Sequence, residues 1–280
     1  MTANHTLPVS VLFTGQQPSR VQRSGRYVAE STAHPAKMLP AIARHLITTY
    51  TKSGDIVVDP MCGIGTTLVE AMYLGRNALG IEYESRWADL ARANVALASD
   101  TAATGHADVL TGDARKLVNA DAAMRGAVAL VVTSPPYGPS THGQVSAKGD
   151  APVAKSHWKY SEAKDNLAYG GDAALRDGFR DILIGCRAIL RPGGVVAITA
   201  RPWRRHGLLV DLPTDVIELA EQAGLIPSER LVALLCGVDG DRLVPRASFF
   251  QLGHARKAAA AGKPLQVIAH EDVLILRAPS

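Results

Sequence analysis

The chain reads Ile56-Val57-Val58-Asp59-Pro60-Met61-Cys62-Gly63-Ile64-Gly65-Thr66-Thr67 over residues 56–67. An apolar, β-branched run is followed by glycines and then by apolar residues at helical spacing, which predicts a buried strand, a loop and a helix. Glycines let the backbone approach a ligand closely, and a helix N-terminus favours electron-rich groups. The dinucleotide fingerprint needs a third glycine where Leu68 stands, so the spacing argues against NAD or FAD.

The same alternation of short apolar runs and helical patterns continues on both sides of this segment. It predicts an α/β fold in which helices cover both faces of a mostly parallel sheet. A helix over residues 35–50 is expected ahead of the first strand. The predicted strands lie near 56–58, 78–81, 109–110, 128–132, 195–199, 229–236 and 273–276, and the further helices near 68–74, 87–95, 179–190 and 213–223.

Two segments do not follow this alternation. Residues 1–33 carry Arg20, Arg23 and Arg26 with little periodicity, which predicts a basic N-terminal arm, or a leader without structure, ahead of a domain over 34–280. Residues 138–171 are rich in Gly, Lys, His and Ser, and they are too many for an ordinary loop between strand and helix, which has about 2–6 residues. We interpret 138–171 as an inserted loop that recognises the substrate.

Acidic residues follow three successive predicted strands. Asp59 ends the first strand, Glu82 ends the second, and Asp113 follows the third. Open parallel sheets bind their ligands at the carboxyl ends of the strands, so these acids are expected to share one crevice. Glu82 is placed to accept hydrogen bonds from both hydroxyls of a ribose, and Asp113 to contact an adenine amino group.

The composition is that of one globular domain. The 280 residues are 47% hydrophobic, which is enough for a full core. Cys62, Cys186 and Cys236 are far apart and have no metal-ligand spacing, so we expect reduced thiols and no metal site. No signal peptide and no apolar run of about 20 residues is visible, and a soluble, cytoplasmic protein is expected. The net charge of +4 suits a polyanionic partner, but it suits an ordinary mildly basic enzyme equally well.

Four motifs follow one another along residues 34–137. They are His34-Pro35-Ala36-Lys37-Met38-Leu39-Pro40, Asp59-Pro60-Met61-Cys62-Gly63-Ile64-Gly65-Thr66-Thr67, Gly80-Ile81-Glu82 and Thr133-Ser134-Pro135-Pro136-Tyr137. In this order they resemble the signature of the amino-methylating DNA methyltransferases, the class found in restriction-modification systems.

The resemblance implies a Rossmann-like class I methyltransferase fold with a mostly parallel seven-stranded sheet and helices on both faces. It also implies that S-adenosylmethionine is the cofactor, and that the segment of His34, Pro35 and Lys37 helps to close the methionine end of its pocket. The cofactor-binding positions that it implies are His34, Pro35, Lys37, Asp59, Pro60, Gly63, Gly65, Thr66, Thr67, Glu82, Asp113 and Ala114.

The Ser-Pro-Pro-Tyr motif follows the fourth predicted strand, at the edge where the acidic residues are expected. Prolines lack N–H groups and hold the backbone extended, which leaves carbonyl groups free to face a pocket. An exocyclic amine is a poor nucleophile because its lone pair is delocalised into the ring. If Ser134 and the Pro135 carbonyl accept its two N–H bonds, a pyramidal and more reactive nitrogen is favoured.

The resemblance makes Ser134, Pro135, Pro136 and Tyr137 the catalytic residues, with Tyr137 as a platform for an extruded base. An isolated Pro-Pro-Tyr would instead be typical of a rigid turn. Methylation at carbon 5 of cytosine is disfavoured because it needs a cysteine nucleophile, and no cysteine follows a proline at this loop.

The residue before Pro-Pro-Tyr differs among the amines that the family methylates. Ser134 resembles the cytosine-N4 enzymes, whereas Asp is more usual in adenine-N6 enzymes and Asn in enzymes that act on guanine N2 in RNA or on glutamine amides. We therefore expect the N4 amine of cytosine in DNA. The alternatives are adenine N6 in DNA and a base amine such as guanine N2 in tRNA or rRNA.

Contacts with the nucleic acid are expected outside these motifs. Lys148, Trp158 and Tyr160 offer cations for phosphates and rings for bases. Arg201 and Arg204 follow the fifth strand and are placed to contact phosphates, although a solvated basic loop is an equally good interpretation.

Two features depart from the family pattern. The cofactor loop precedes the catalytic loop, whereas many relatives with His-Pro-x-x-Lys have the reverse order. The sequence also shows no target-recognition domain of ordinary size, so a homodimer or a separate specificity partner is expected to help choose the target. A non-catalytic nucleic-acid-binding protein on the same fold is the competing class, and the presence of Asp59, Ser134 and Tyr137 argues against it.

Overall fold

A computed structural model of the protein describes residues 7–135, 144–146, 154–156, 167, 171–205, 208–246, 249–262 and 265–279. The strands are β1 Val11–Leu12, β2 Ile56–Asp59, β3 Asn77–Glu82, β4 Ala107–Thr111, β5 Val128–Thr133, β6 Gln144–Ser146, β7 Ala154–Ser156, β8 Leu190–Ala200, β9 Trp203–Arg205, β10 Leu208–Val210, β11 Ile226–Leu234, β12 Gly237–Asp239, β13 Arg242–Val244 and β14 His270–Arg277. The helices are α1 Ser19–Arg23, α2 Pro40–Tyr50, α3 Thr66–Tyr73, α4 Ser85–Ser99, α5 Gly171–Ile189, α6 Leu212–Gln222 and α7 Phe249–Ala260, with 3-10 helices over Ala29–Ala33 and Ala114–Asn119.

Eight of these strands form one sheet in the order β1-β11-β14-β8-β5-β2-β3-β4. The pairs from β8 to β4 are all parallel, and β14 runs antiparallel to both of its neighbours. The carboxyl ends of β2, β3, β4, β5 and β8 therefore meet at one edge, which we call the carboxyl edge. The mostly parallel α/β sheet predicted from the sequence is confirmed.

Apolar packing covers the sheet on both faces. Every residue of β5 is buried, as expected for a central parallel strand with helices above and below. One core includes Ile42 of α2, Leu68 of α3 and Trp87 of α4. The other core includes Phe179 of α5 and Val216 of α6. These two layers hold the strand ends, and hence the carboxyl edge, in fixed positions.

The sheet has eight strands rather than the predicted seven, because the N-terminal segment adds one at its edge. In β1, Val11 pairs with Val232 and Leu12 with Ala233 of β11. Leu12 is buried in the core, and the Thr14 hydroxyl donates a hydrogen bond to the Leu234 carbonyl at 2.8 Å. The prediction of a separate basic arm over 1–33 is therefore corrected, since residues 7–33 pack against the domain.

A buried carboxylate binds one of the basic residues of this segment and one of α2. Glu70 of α3 is completely buried, and its Oε2 lies 2.9 Å from Arg26 Nη2 and 3.0 Å from Arg44 Nη2. Its Oε1 accepts a hydrogen bond from the Tyr27 hydroxyl at 3.0 Å. Arg23 is also buried, whereas Arg20 is exposed. These contacts, which we call the Glu70 cluster, fix the N-terminal segment on α2 and α3.

Two boundaries and one loop illustrate how the structure differs from the sequence prediction. The leading helix begins at Pro40 rather than at residue 35, because proline suits the first turn of a helix and leaves the preceding residues extended. Strand β8 begins five residues before the predicted position, and its register with β5 shifts between Val128 and Leu130. The basic stretch after β8, predicted as a loop, contributes β9 to an antiparallel hairpin with β10.

The described residues also bear on membranes, metals and thiols. None of the described helices has both the length and the apolar content needed to cross a bilayer. Within the same residues, no group of three or more His, Cys, Asp or Glu is arranged to hold a metal ion. Cys62, Cys186 and Cys236 are all buried, free thiols.

Candidate active site

The loop between β2 and α3 forms the centre of the site. Asp59 ends β2 and is buried, and Pro60 behind it is buried as well. One Asp59 oxygen accepts a hydrogen bond from the Thr67 hydroxyl at 2.7 Å, and the other accepts from the Met61 N–H at 3.1 Å. Thr66 is buried at the first turn of α3. The carboxylate thus joins the strand end to the helix start.

Two glycines give this loop its shape. Gly63 has φ of +53° and Gly65, which precedes α3, has φ of +77°, and both values lie in the left-handed region that disfavours side chains. A Cβ atom on Gly63 would lie 3.2 Å from His34 Nε2, and one on Gly65 would lie 3.3 Å from Ala91 Cβ. The loop is therefore tightly packed from below, and side chains there would disturb it.

Glu82 at the end of β3 holds the loop from the other side. Its Oε2 accepts a hydrogen bond from the Gly63 N–H at 2.8 Å, and its Oε1 accepts from the Glu84 N–H at 2.9 Å. Only 3% of the residue is exposed. Because an ionised carboxylate has about four lone-pair positions, each oxygen keeps capacity for one further donor.

Burial raises the pKa of both carboxyl groups. The pKa of Glu82 rises to about 7, against the lowering effect of its two backbone hydrogen bonds. The pKa of Asp59 rises to about 6, also through burial, and the hydrogen bonds from Thr67 and Met61 limit the rise. Near neutral pH the site therefore contains acids close to their midpoint, which ligand hydroxyl or ammonium groups would shift towards the ionised form.

The third acid, Asp113, lies two residues beyond β4. It precedes the 3-10 helix Ala114–Asn119 and accepts a hydrogen bond from the Arg115 N–H at 3.0 Å. The Arg115 guanidinium also contacts this carboxylate, at 2.6 Å for the shortest pair, and these hydrogen bonds lower the pKa of Asp113. Ala114 is buried beside it. The structure places all three predicted acids at the carboxyl edge.

The segment of His34, Pro35 and Lys37 is extended and passes beneath the glycine loop. His34 is buried, its ring packs edge-on against Trp87 at 4.5 Å between centroids, and burial lowers its pKa to about 3. Pro35 is half-buried. Lys37 Nζ donates to the carbonyls of Thr32, at 3.2 Å, and of His34, and burial lowers its pKa to about 8. A neutral imidazole thus supports Gly63, and Lys37 closes the 3-10 helix before it.

The sequence analysis did not identify Asn94 of α4 as part of this arrangement. Asn94 is completely buried, and its amide donates to the Ile64 carbonyl at 2.8 Å, inside the glycine loop. The same side chain accepts a hydrogen bond from the Val28 N–H at 2.8 Å. It therefore connects the loop to the N-terminal segment. The sequence signal for Asn94 was a polar residue on the same helical face as the apolar Trp87, because a polar residue at a buried position needs a hydrogen-bond partner.

Two residues of the predicted catalytic motif lie at the end of β5. Ser134 is half-buried and Pro135 is buried. Strand β5 lies between β2, where Val131 pairs with Val58, and β8, where Thr133 pairs with Ile198. Ser134 thus emerges beside the strand that carries Asp59. Pro136 and Tyr137 lie outside the described residues.

Two of the five residues predicted to contact the substrate lie within the described residues. Arg201 and Arg204 follow β8 and are both half-buried. Lys148, Trp158 and Tyr160 lie outside the described residues. Glu271 of β14 was not predicted for this edge, because a residue in an antiparallel strand cannot be located from its neighbours in sequence. It is half-buried, burial raises its pKa, and the Arg201 charge acts in the opposite direction.

Comparisons with known proteins agree with this geometry. Residues 8–93 match the family model of the N6/N4 methyltransferases, described as DNA methylase. The chain is related to the amino-group DNA methyltransferases. The match spans the N-terminal segment, α2, the glycine loop and Glu82, so it includes most of the site described above.

The individual proteins that this chain resembles include tRNA methyltransferases and type II methyltransferases. The chain is 33% identical over 143 residues to a tRNA (guanine(10)-N2)-dimethyltransferase of Methanothermobacter thermautotrophicus, covering 49% of this chain and 38% of that protein. It is 34% identical over 76 residues to the type II methyltransferase M.ScaI of Streptomyces caespitosus, covering 27% and 25%. The chain thus spans well under half the length of either curated relative.

A solved structure supports the class I methyltransferase fold. TrmN from Thermus thermophilus superposes with a TM-score of 0.52 at 18% identity, covering 92% of this chain and 53% of that one. This fold and the family imply S-adenosylmethionine as the cofactor. The residues present fit it, since a loop whose glycines have no room for side chains lies between two buried carboxyl groups, Asp59 and Glu82, that have spare acceptor capacity.

Proposed function

We propose that this protein methylates the exocyclic N4 amine of cytosine in DNA. The observation that carries the proposal is the position of Ser134 and Pro135 at the end of β5, next to the strand whose end forms the candidate cofactor loop. S-adenosylmethionine supplies an electrophilic methyl group when it is bound. Methylation of a base amine in nucleic acid is supported by the family as a whole.

In this proposal the acids of the carboxyl edge hold the cofactor. Glu82 accepts hydrogen bonds from ribose hydroxyls through the lone pairs that Gly63 and Glu84 leave unused. Asp59 faces the methionine end, with the left-handed backbone of Gly63 and Gly65 beside it. Asp113 contacts the adenine amino group. His34, Pro35 and Lys37 support the loop beneath the methionine end.

The catalytic segment, Ser134 to Tyr137, binds and activates the amine in this proposal. The Ser134 side chain and the Pro135 carbonyl accept the two N–H bonds of the amine, which draws its lone pair away from the ring and towards the methyl group. Fixed acceptors need no reorganisation during the reaction, so positioning supplies most of the rate enhancement. Tyr137, after Pro136, provides the face on which the extruded base stacks. Ser134 remains the reason to prefer cytosine N4 over adenine N6.

A guanine N2 amine in tRNA is the second candidate. The relative that matches 49% of this chain is a tRNA (guanine(10)-N2)-dimethyltransferase, whereas the match to the DNA enzyme M.ScaI covers 27%. Because DNA and RNA enzymes share this cofactor loop, the loop does not distinguish the two substrates. The identity of the methylated base in the product distinguishes them.

Contacts beyond the amine are part of the same proposal. Arg201 and Arg204 contact phosphates, as do the cations of the 138–171 loop, where Lys148, Trp158 and Tyr160 stand. A second copy of the chain or a separate specificity subunit contributes to the choice of target.

Nucleoside analysis tests the reaction. The protein is incubated with S-adenosylmethionine labelled on its methyl group and a mixture of genomic DNA and total RNA, and the digested nucleosides are identified by mass spectrometry. We expect labelled N4-methylcytosine in the DNA. N2-methylguanine in the RNA would establish the second candidate instead, N6-methyladenine in the DNA would establish an adenine enzyme, and 5-methylcytosine would contradict the mechanism. Protein with Ser134→Ala is the control.

The raised pKa of Glu82 predicts a pH-dependent cofactor affinity. Below about 7 the carboxyl is mostly protonated and must lose a proton to accept both ribose hydroxyls, so the affinity should rise as pH increases from 6 to 8. The limiting slope is about tenfold per pH unit below the pKa. Titration calorimetry at pH 6, 7 and 8 measures it.

The substitution Glu82→Gln should remove most of this pH dependence and leave a weaker one near pH 6, where Asp59 titrates. Glu82→Ala or Asp59→Ala should each weaken binding by about 1.5–3 kcal/mol, the range for hydrogen bonds with a charged group. Glu229→Gln on β11, an exposed carboxylate away from the site, serves as the matched control. Wild-type affinity in both alanine variants would contradict the assignment of these acids.

A further inference from the structure

The hairpin of β9 and β10 is a second feature of the carboxyl edge. It begins at Trp203, three residues after the end of β8, and its strands pair antiparallel with Arg204 opposite Leu209. It forms a two-stranded sheet separate from the main one. Strand β8 lies next to β5, where Thr133 pairs with Ile198. The hairpin that follows β8 therefore starts one strand away from Ser134.

Two large apolar side chains are exposed on this hairpin. Leu208 is 74% exposed and Leu209, next to it, is 62% exposed. Single exposed apolar residues are ordinary, but two consecutive leucines that keep most of their surface exposed form an apolar patch that the domain core does not use. Arg204 stands opposite Leu209, and Arg201 lies at the base of the hairpin. The surface thus combines apolar side chains with guanidinium groups, beside the catalytic segment.

Duplex DNA is the partner that this combination fits. A base amine within a duplex cannot reach a half-buried Ser134 at the end of β5, so the target base has to leave the stack. Proteins that open or kink DNA insert apolar side chains such as leucine between base steps, and arginines neutralise the adjoining phosphates.

We propose that the β9–β10 hairpin is a wedge that enters the duplex beside the target base. Successive residues of a strand point to opposite faces, so Leu209 lies on the same face as Arg204 and Leu208 lies on the other. In this proposal one leucine of the pair occupies the vacated stack while Arg204 holds the phosphate backbone. The inference rests on the proposed function and extends it to a described surface.

The experiment compares two forms of one substrate. A linear plasmid is used as duplex and, after heat denaturation, as single strands, and transfer of a tritiated methyl group is followed for each. A variant with Leu208→Ser and Leu209→Ser together should lower the ratio of the duplex rate to the single-strand rate by about tenfold, because only the duplex needs opening. Arg204→Gln should weaken binding to both forms and reduce the slope of affinity against salt by about one phosphate contact.

Ile226→Ser is the matched control. Ile226 is also an exposed aliphatic residue, at 54%, but it lies at the start of β11 and thus at the opposite end of the sheet. This variant should keep the wild-type ratio. A leucine variant with an unchanged ratio, or with both rates lowered equally, would overturn the wedge alone. Wild-type protein that labels neither form of the DNA would overturn the proposed function, and the wedge with it.

Discussion

Ser134→Ala is expected to lower turnover by about 10²–10³-fold while S-adenosylmethionine binds with unchanged affinity. The size follows from removing one fixed polar partner of the reacting group, which costs about this much in other enzymes. The cofactor affinity is preserved because Asp59 and Glu82, not Ser134, make the proposed cofactor contacts. Single-turnover labelling of DNA and calorimetry with the cofactor measure the two quantities. Tyr137→Ala is expected to show the same separation.

Ser99→Ala provides the control for this prediction. Ser99 is exposed at the end of α4, away from the carboxyl edge, and its hydroxyl donates to the Val95 carbonyl within the helix. Its turnover should match the wild type. If Ser134→Ala retained full turnover, or if it lost cofactor affinity and turnover together, Ser134 would not act on the amine.

Glu70→Ala is expected to lower the free energy of unfolding by about 3–5 kcal/mol, the usual cost of removing one partner from a buried ion pair. The variant leaves the Arg26 and Arg44 guanidinium groups and the Tyr27 hydroxyl without their shared acceptor. Both arginines are partly exposed, so water replaces some of the lost contacts and the lower end of this range is expected. Urea denaturation measured at constant pH gives the value.

A surface ion pair shows how much of this effect comes from burial. Asp89 and Arg92 on α4 are both exposed and approach to 2.7 Å, so Asp89→Ala should cost no more than about 1 kcal/mol. If Glu70→Ala cost no more than Asp89→Ala, the Glu70 cluster would not be what attaches the N-terminal segment to α3.

The parts of the fold that were predictable from the sequence are those specified by short-range patterns. An apolar run, glycines and a helical repeat within 56–73 define β2, the loop and α3 by local conformational preference. The strand β1 could not be predicted in this way, because two residues have no periodicity and their partners lie in β11. The same limit applies to the β9–β10 hairpin, whose basic stretch looked like a loop until its pairing with Leu208 and Leu209 was known.

The candidate site shows the same division. Asp59, Glu82 and Ser134 were predictable because each ends or follows a strand, and parallel strands bring such ends together. Arg23 and Arg26 were interpreted as a nucleic-acid arm because a charged residue in a sequence is usually solvated. Arg23 is instead buried with its guanidinium on the Met38 carbonyl. Arg26 pairs with Glu70, which is 44 residues away along the chain and occupies an ordinary helical position. Long-range charge pairing of this kind leaves no periodic signal.

The position of β1 beside β11 also determines the order in which the protein can fold. The Thr14 hydroxyl and the Leu234 carbonyl that it bonds are 220 positions apart, and the Arg246 guanidinium bonds the Gly15 carbonyl across a similar span. The entropy of closing so long a loop is recovered only when both ends are present, so this contact forms late. During synthesis on the ribosome, β1 therefore emerges well before its partner β11. Until β11 has been made, Leu12 and the apolar residues around it remain open to chaperones and to aggregation.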